Sequence, residues 1–356
     1  EEGPAGLSTS AGGVAPAGDG QDSTPEVCTG AEDAPCGEES EEGAEEGAEE
    51  GDGSGDAGDG SGDVGARAAA EEATACREDG HCARPCPPAE ALAAGEAQRA
   101  RACVPGGWFV RGVDEPVAGC AQADMPAGAT PEVPAMRVWV DTFVMDVDEV
   151  TNAAHAACVR AGACREVGAL YRDFRGAEQP HTGGTWFDAR DYCAWRGMRL
   201  PTEAEFEAAA RGPQGELTPF GDALVTCEEA VIEDARGRSC GVRQRGSRPE
   251  AGRVAEVGSR PAGRYGLRDL VGNAEEWVLD WWTEDWASCG EACAGPNPRG
   301  PCDGAEACPG HRHRAVRGGS WYWGAACATG VNRRRYRPDN RPPHHFGFRC
   351  AATVEG

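Results

Sequence analysis

The sequence predicts an α+β domain with unusually little regular secondary structure. Three observations lead there. Three well-capped helices follow one another in the first half of the foldable region, and strand-and-loop sequence follows them. Eighteen cysteines, an even number, sit mostly in Gly-, Pro- and Asp-rich loops, where disulfides would compensate for a thin core.

The chain has 356 residues, and much of its beginning cannot fold. Residues 1 to 72 carry 21 Asp and Glu against the single Arg67, with almost nothing large and apolar beyond Leu7 and a few Val. Such a stretch buries too little surface to offset chain entropy, so residues 1–75 read as a disordered acidic linker. It supplies most of the net charge of −26, leaving 39 acidic against 33 basic groups downstream. No basic stripe is concentrated anywhere, which argues against nucleic acid as a partner. All 34 basic residues are Arg, a pattern that reads first as coding bias.

Residues 76–103 form a cysteine-rich neck, where Cys76, Cys82, Cys86 and Cys103 bracket an Ala/Glu/Arg stretch at 89 to 101 expected to be helical. A third region, 104–356, begins with VPGGWFVRG, a strand after a Pro-Gly-Gly turn, and VWVDTFVMDVDEVT, one or two further strands. Thr151 caps NAAHAACVRAG, which stops at Gly162; Thr185 caps WFDARDYCAWR, with Asp188 three residues on and Gly197 as the stop. Thr202 and Glu205 form a capping box in PTEAEFEAAARG, flanked by Pro201 and Gly212. Beyond these helices only Tyr265 to Trp282 and Ala315 to Trp323 look like regular apolar segments.

The cysteines lack the paired CxxC spacing of a tetrahedral zinc site, so disulfides are the better reading, and they imply an oxidising, extracytoplasmic compartment. From spacing alone, Cys158 is expected to pair with Cys164 and Cys227 with Cys240. No hydrophobic run approaches a membrane span. There is no initiator Met or signal peptide, and a lipid-anchored lipoprotein with an acidic spacer before the domain fits this pattern.

Taken together, VPGGWFVRG, DEVTNAAHAACV, TWFDARDYCAWRGMRLPTEAEFEAAARG, YGLRDLVGNAEEW, RAVRGGSW and FGFRCA resemble, in order, the signature segments of the formylglycine-generating-enzyme (sulfatase-modifying-factor) family across about 104 to 352. The resemblance implies a loop-rich, C-type-lectin-like fold that holds structural calcium. It implies a cage from the side chains of Asp269 and Glu276 and the carbonyls of Gly272 and Ala274, a donor set that suits a hard cation. Where the family usually has a large residue, often Trp, this chain has Glu275. The resemblance also implies a disulfide between Cys193 and Cys350. A second family pair would need Cys at 210 and 333, where Ala210 and Arg333 stand.

Family oxidases hold copper(I) on two cysteines just after the GGS motif, because the soft ion needs thiolates. Those positions here are Trp323 and Ala328; Cys327 lies one residue short, and a structural cystine is its expected fate, so no copper is expected. His311 with His313 and His344 with His345 are the clustered histidines, and neither pair has a Cys or Asp at ligand spacing. Ser320 has no evident His–Asp partner and is expected to bond a turn.

The segment RGGSWYWGAACATGVNRRRYRPDNRPPHHFGFRCA is similar to the C-terminal segment of variable proteins from diversity-generating retroelements. From Tyr322 to His345 only Trp323 falls outside the residues their mutagenesis yields. Tyr322, Trp323, Arg333, Arg335, Tyr336, His344 and His345 are therefore the candidate ligand-binding residues, since aromatic and guanidinium groups on scaffolded loops dominate binding hot spots. Two functions follow. One is a non-catalytic, calcium- and disulfide-stabilised module that binds a protein, peptide or glycan at the cell surface. The other is a formylglycine-generating oxidase or another enzyme modifying a sulfatase or peptide substrate.

Overall fold

A computed structural model describes residues 75–92, 100–120, 129–243, 252–340 and 344–354. The acidic linker, with Cys28 and Cys36, lies outside the described residues.

The neck is tied by disulfides Cys76–Cys82 and Cys86–Cys103, with S–S distances of 1.93 and 2.02 Å. Of the helix expected at 89 to 101, the described part is α1 (Ala89–Leu92). Arg101 already belongs to strand β1 (Arg101–Val104), because its backbone pairs with Asp146. The segment VPGGWFVRG is therefore two strands, β1 and β2 (Gly107–Arg111), separated at Pro105–Gly106. A side chain at Gly106 would sit 2.4 Å from the backbone nitrogen of Thr142, so that turn admits only glycine. Strands β3 (Met136–Val140) and β4 (Phe143–Asp146) come from VWVDTFVMD and break at Asp141 and Thr142.

The three capped helices lie where their caps indicate. They are α2 (Asn152–Arg160), α3 (Trp186–Trp195) and α4 (Glu203–Arg211). Thr151 accepts from Ala154 N, and Thr185 with Asp188 and Thr202 with Glu205 close two capping boxes. A one-turn α5 (Trp286–Cys289) follows later. The remaining strands are short: β5 (Glu275–Trp281), β6 (Gly295–Pro296), β7 (Arg314–Arg317), β8 (Arg333–Tyr336), β9 (Phe346–Gly347) and β10 (Ala351–Thr353). They form three small sheets, ordered β1-β4-β10, β2-β3-β6 and β8-β7-β5-β9. None of the helices is long and apolar enough to cross a membrane.

One core joins Val104, Phe109, Val140 and Phe143 to Phe206 and Ala210 of α4 and to Leu270 and Val278. A second joins Trp186, Tyr192 and Cys193 of α3 to Trp277, Phe346 and Phe348. Helix α4 also buries charge. Glu203 and Glu207, one turn apart, meet Arg317 at 2.9 and 2.7 Å, and Glu207 also meets Arg211 at 2.7 Å. Buried carboxylates are tolerated only with partners of this kind.

All sixteen cysteines of the described residues are disulfide-bonded, in eight pairs, which places the folded region in an oxidising environment. Cys193–Cys350 joins α3 to the turn before β10, and Cys158–Cys164 and Cys227–Cys240 are local clips. Two more local clips join Cys289 to Cys293 and Cys302 to Cys308.

Candidate functional site

The GGS turn is held by close packing. A side chain at Gly319 would lie 2.3 Å from the Cys327 carbonyl, and one at Gly318 would lie 2.7 Å from the Leu270 carbonyl. Both glycines have positive φ. Ser320 is fully buried; its carbonyl accepts from Trp323 N at 3.1 Å and its hydroxyl from Tyr322 N at 3.4 Å, a turn-forming role. The turn thus presents Tyr322 and Trp323 while Trp321 points into the core.

Around these two side chains an aromatic and cationic cluster assembles. The Tyr322 and Trp323 rings are 4.9 Å apart, the His345 ring stacks 5.4 Å from Tyr322, and His344 stacks 5.4 Å from Trp321 and meets Tyr171 edge-on at 4.8 Å. Tyr336 packs 5.0 Å from Phe346, which lies 4.7 Å from His345. Two arginines missed by sequence reasoning complete it: Arg238 lies 3.5 Å over the Tyr322 ring and Arg334 lies 5.1 Å from that of Trp323. Glu275, at the position where a large residue was expected, pairs with Arg334 at 2.8 Å, so the departure is compensated by a buried ion pair.

His345 is buried, and neither ring nitrogen has a hydrogen-bond partner. Burial, reinforced by the charges of Arg334, His344 and Arg238, holds its pKa well below the usual histidine value, so the imidazole is neutral.

Strand alternation divides the remaining candidates. Arg334 and Tyr336 face Phe346, whereas Arg333 and Arg335 contact Trp286 and Trp282 at 3.4 and 4.9 Å. Arg333 is therefore not a surface contact. It is fully buried, binds Glu203 through Nε and Nη2 at 2.5 and 3.0 Å, and donates to the Pro131 carbonyl at 2.6 Å. At position 333, where the family's second disulfide would have a cysteine, the chain instead has a buried ion pair to the start of α4.

The thiol positions of the family's copper site do not fit copper(I). Trp323 carries no ligand for it, Ala328 is buried, and Cys327 is bonded to Cys120 at 2.07 Å.

The candidate calcium loop shows a donor set that fits a hard cation. Asp269, Gly272 and Asn273 all have positive φ, which folds the loop back on itself. Asp269 Oδ2 accepts from Gly258 N at 2.7 Å, while Oδ1 is buried without a partner. Glu276 is bound by Arg349 through both oxygens, at 2.6 to 2.9 Å, and a carboxylate retains lone pairs beyond those. Glu149, missed in the sequence although it lies in DEVT, accepts from Asn273 Nδ2 and Ala274 N at 3.0 Å each and fixes the loop from below. Burial, then the charges of Asp269 and Glu276, pushes the Glu149 pKa well up; burial also raises Asp269 and Glu276. Three buried carboxylates thus lie near the single Arg349 guanidinium. No cluster of three or more His, Cys, Asp or Glu side chains with metal-holding geometry occurs among the described residues, so backbone carbonyls would have to complete the cage.

Comparison with known proteins identifies the family and the fold. Residues 90–354 match the sulfatase-modifying factor enzyme 1-like domain. The chain is 31% identical over 300 residues to the formylglycine-generating enzyme of Bos taurus, covering 70% of this chain and 73% of that protein. It is 28% identical over 303 residues to the inactive C-alpha-formylglycine-generating enzyme 2 of Mus musculus, covering 70% and 85%. The structure of PvdO from Pseudomonas aeruginosa shares the fold, with a TM-score of 0.54 at 23% identity over 73% of this chain and 96% of that one. This loop-rich α+β chain, with its C-type-lectin-like architecture, belongs to the sulfatase-modifying factor enzyme 1-like domain family.

Proposed function

We propose that this protein is a non-catalytic binding module, stabilised by calcium and disulfides, acting outside the cytoplasm. The observation that carries the reading is the fate of the oxidase thiol positions: Trp323 and Ala328 occupy them, and the adjacent Cys327 is closed into a disulfide with Cys120. Calcium is assigned to Asp269 and Glu276 with the Gly272 and Ala274 carbonyls, supported by the unpartnered Asp269 Oδ1.

The ligand, a protein, peptide or glycan, meets Tyr322, Trp323, Tyr336 and His344, with Arg238 and Arg334 behind them and the His345 imidazole beneath. In the sharper version the face is diversified by a retroelement. The burial of Val331, Arg333 and Arg334 then confines tolerated variation to partly exposed positions such as Tyr322, Trp323, Arg335, Tyr336 and His344. Arrays of glycans and extracellular proteins, probed with the intact chain and with a Tyr322→Ala/Trp323→Ala variant, test the reading. Signals lost in the variant support it; the same signals from both proteins would overturn the assignment of this face.

A further inference from the structure

Beside the aromatic face, behind Phe174 and Trp321, lies a cavity of about 810 Å³, within the range of small-molecule pockets. Arg172, Gln179, Ser239, Arg253, Val254 and Arg260 are among the residues that line it. Several other arginines of the chain sit on carboxylates, as Arg196 does on Asp146, Arg199 on Glu205 and Arg268 on Asp148. No ion pair or side-chain hydrogen bond joins Arg172 or Arg253 to another of the described residues. Arg260 donates only to the Ser259 carbonyl, at 3.1 Å, and its Nε is buried with no acceptor. The lining sets two carboxylates, Asp173 and the exposed Glu256, against these three arginines.

The wall is also pre-shaped. Ser239, in a left-handed conformation beside the Cys227–Cys240 disulfide, accepts from Arg253 N at 2.7 Å and donates to Arg253 O at 2.6 Å, fixing that arginine's backbone. Gln179 does the same for the opposite side, accepting from Gly176 N and donating to Val254 O at 2.8 Å each. A buried guanidinium nitrogen without an acceptor, such as Arg260 Nε, is costly and asks for one. Arginines favour oxyanions because their fork matches two oxygens at once.

We propose that this cavity binds a small polyanion, a molecule bearing two or more phosphate, sulfate or carboxylate groups. The cavity adjoins the aromatic face, but Arg172 and Arg253 take no part in that face, so their variants separate this test from that of the binding module. Calorimetric titration of the full chain at low ionic strength with pyrophosphate, a sulfated disaccharide and citrate distinguishes the three anion types. At least one should saturate the site, with affinity falling as salt is added. Arg253→Gln and the exposed Arg172→Gln should each weaken it about tenfold or more, the scale of a lost charged hydrogen bond. Arg253→Lys should retain part of the affinity. Because Arg172 is exposed, its variant stays informative even if Arg253→Gln lowers the melting temperature. Failure of all three probes to saturate, or wild-type affinity in both Arg172→Gln and Arg253→Gln, would overturn the proposal.

Discussion

Replacing Arg333 by Ala separates a buried structural arginine from a ligand-contacting one. Its guanidinium makes two contacts with Glu203, at 2.5 and 3.0 Å, bonds the Pro131 carbonyl at 2.6 Å and lies 3.4 Å over the Trp286 ring. Glu203 keeps Arg317 at 2.9 Å after the change, but it loses its bidentate partner inside the protein. Breaking a buried pair in this way costs about 3–5 kcal/mol, whereas a surface substitution stays within roughly 0.5 kcal/mol. At about 2–4 °C per kcal/mol for a domain of this size, the melting temperature should fall by roughly 10 °C. Urea unfolding without reductant, with Glu203→Gln alone and in combination, measures the loss. The double variant should lose less than the sum of the singles, because both remove the same interaction. A loss below about 1 kcal/mol for Arg333→Ala would refute the buried-network account.

Three further outcomes are expected. Chelating calcium should lower the melting temperature, returning it should restore the loss, and Asp269→Ala should abolish the response; at 100 times Kd the stabilisation is about 2.7 kcal/mol. The stacked pair His155 and His181, with rings 3.7 Å apart, is buried, and burial together with the charge of His155 lowers the His181 pKa to about 3. A lowered histidine pKa adds stability that is full above the unfolded value of about 6.5 and is lost as pH falls towards the folded one. His181→Gln should therefore flatten the stability profile between those limits, and an unchanged acid slope would contradict it. Burial and the charge of Glu203 raise the Asp280 pKa to about 7, the opposite sign, so its contribution is present at acid pH and lost as pH rises towards neutrality. Asp280→Asn should remove that decline, read from urea midpoints across the range.

Local chemistry made the helices legible. Thr151, Thr185 and Thr202 each satisfy an end of their own helix within three residues, so neighbouring sequence determines them. The neck helix was over-extended because the pairing of Arg101 with Asp146 spans 45 positions and leaves no local mark. The aromatic face was half legible. Tyr322 and Trp323 follow a glycine turn that the sequence displays, but strand parity on β8 divides Arg333 and Arg335 from Arg334 and Tyr336. That alternation was available in RRRY and would have found Arg334. Arg238 and Glu149 reach their partners only through tertiary folding, Arg238 over Tyr322 and Glu149 beneath the 269–276 loop. The Cys120–Cys327 disulfide spans 207 positions, beyond any spacing argument.

The central claim, that the family's oxidase chemistry is absent, is tested most directly by incubating the copper-treated protein in air with a Cys-X-Pro-X-Arg peptide and measuring formylglycine by mass spectrometry. With Trp323 and Ala328 at the thiolate positions and Cys327 held by Cys120, the peptide should remain unmodified, as it should with a Cys327→Ala control. Formylglycine formed by the native chain above that control would contradict the account and return the protein to the enzymes.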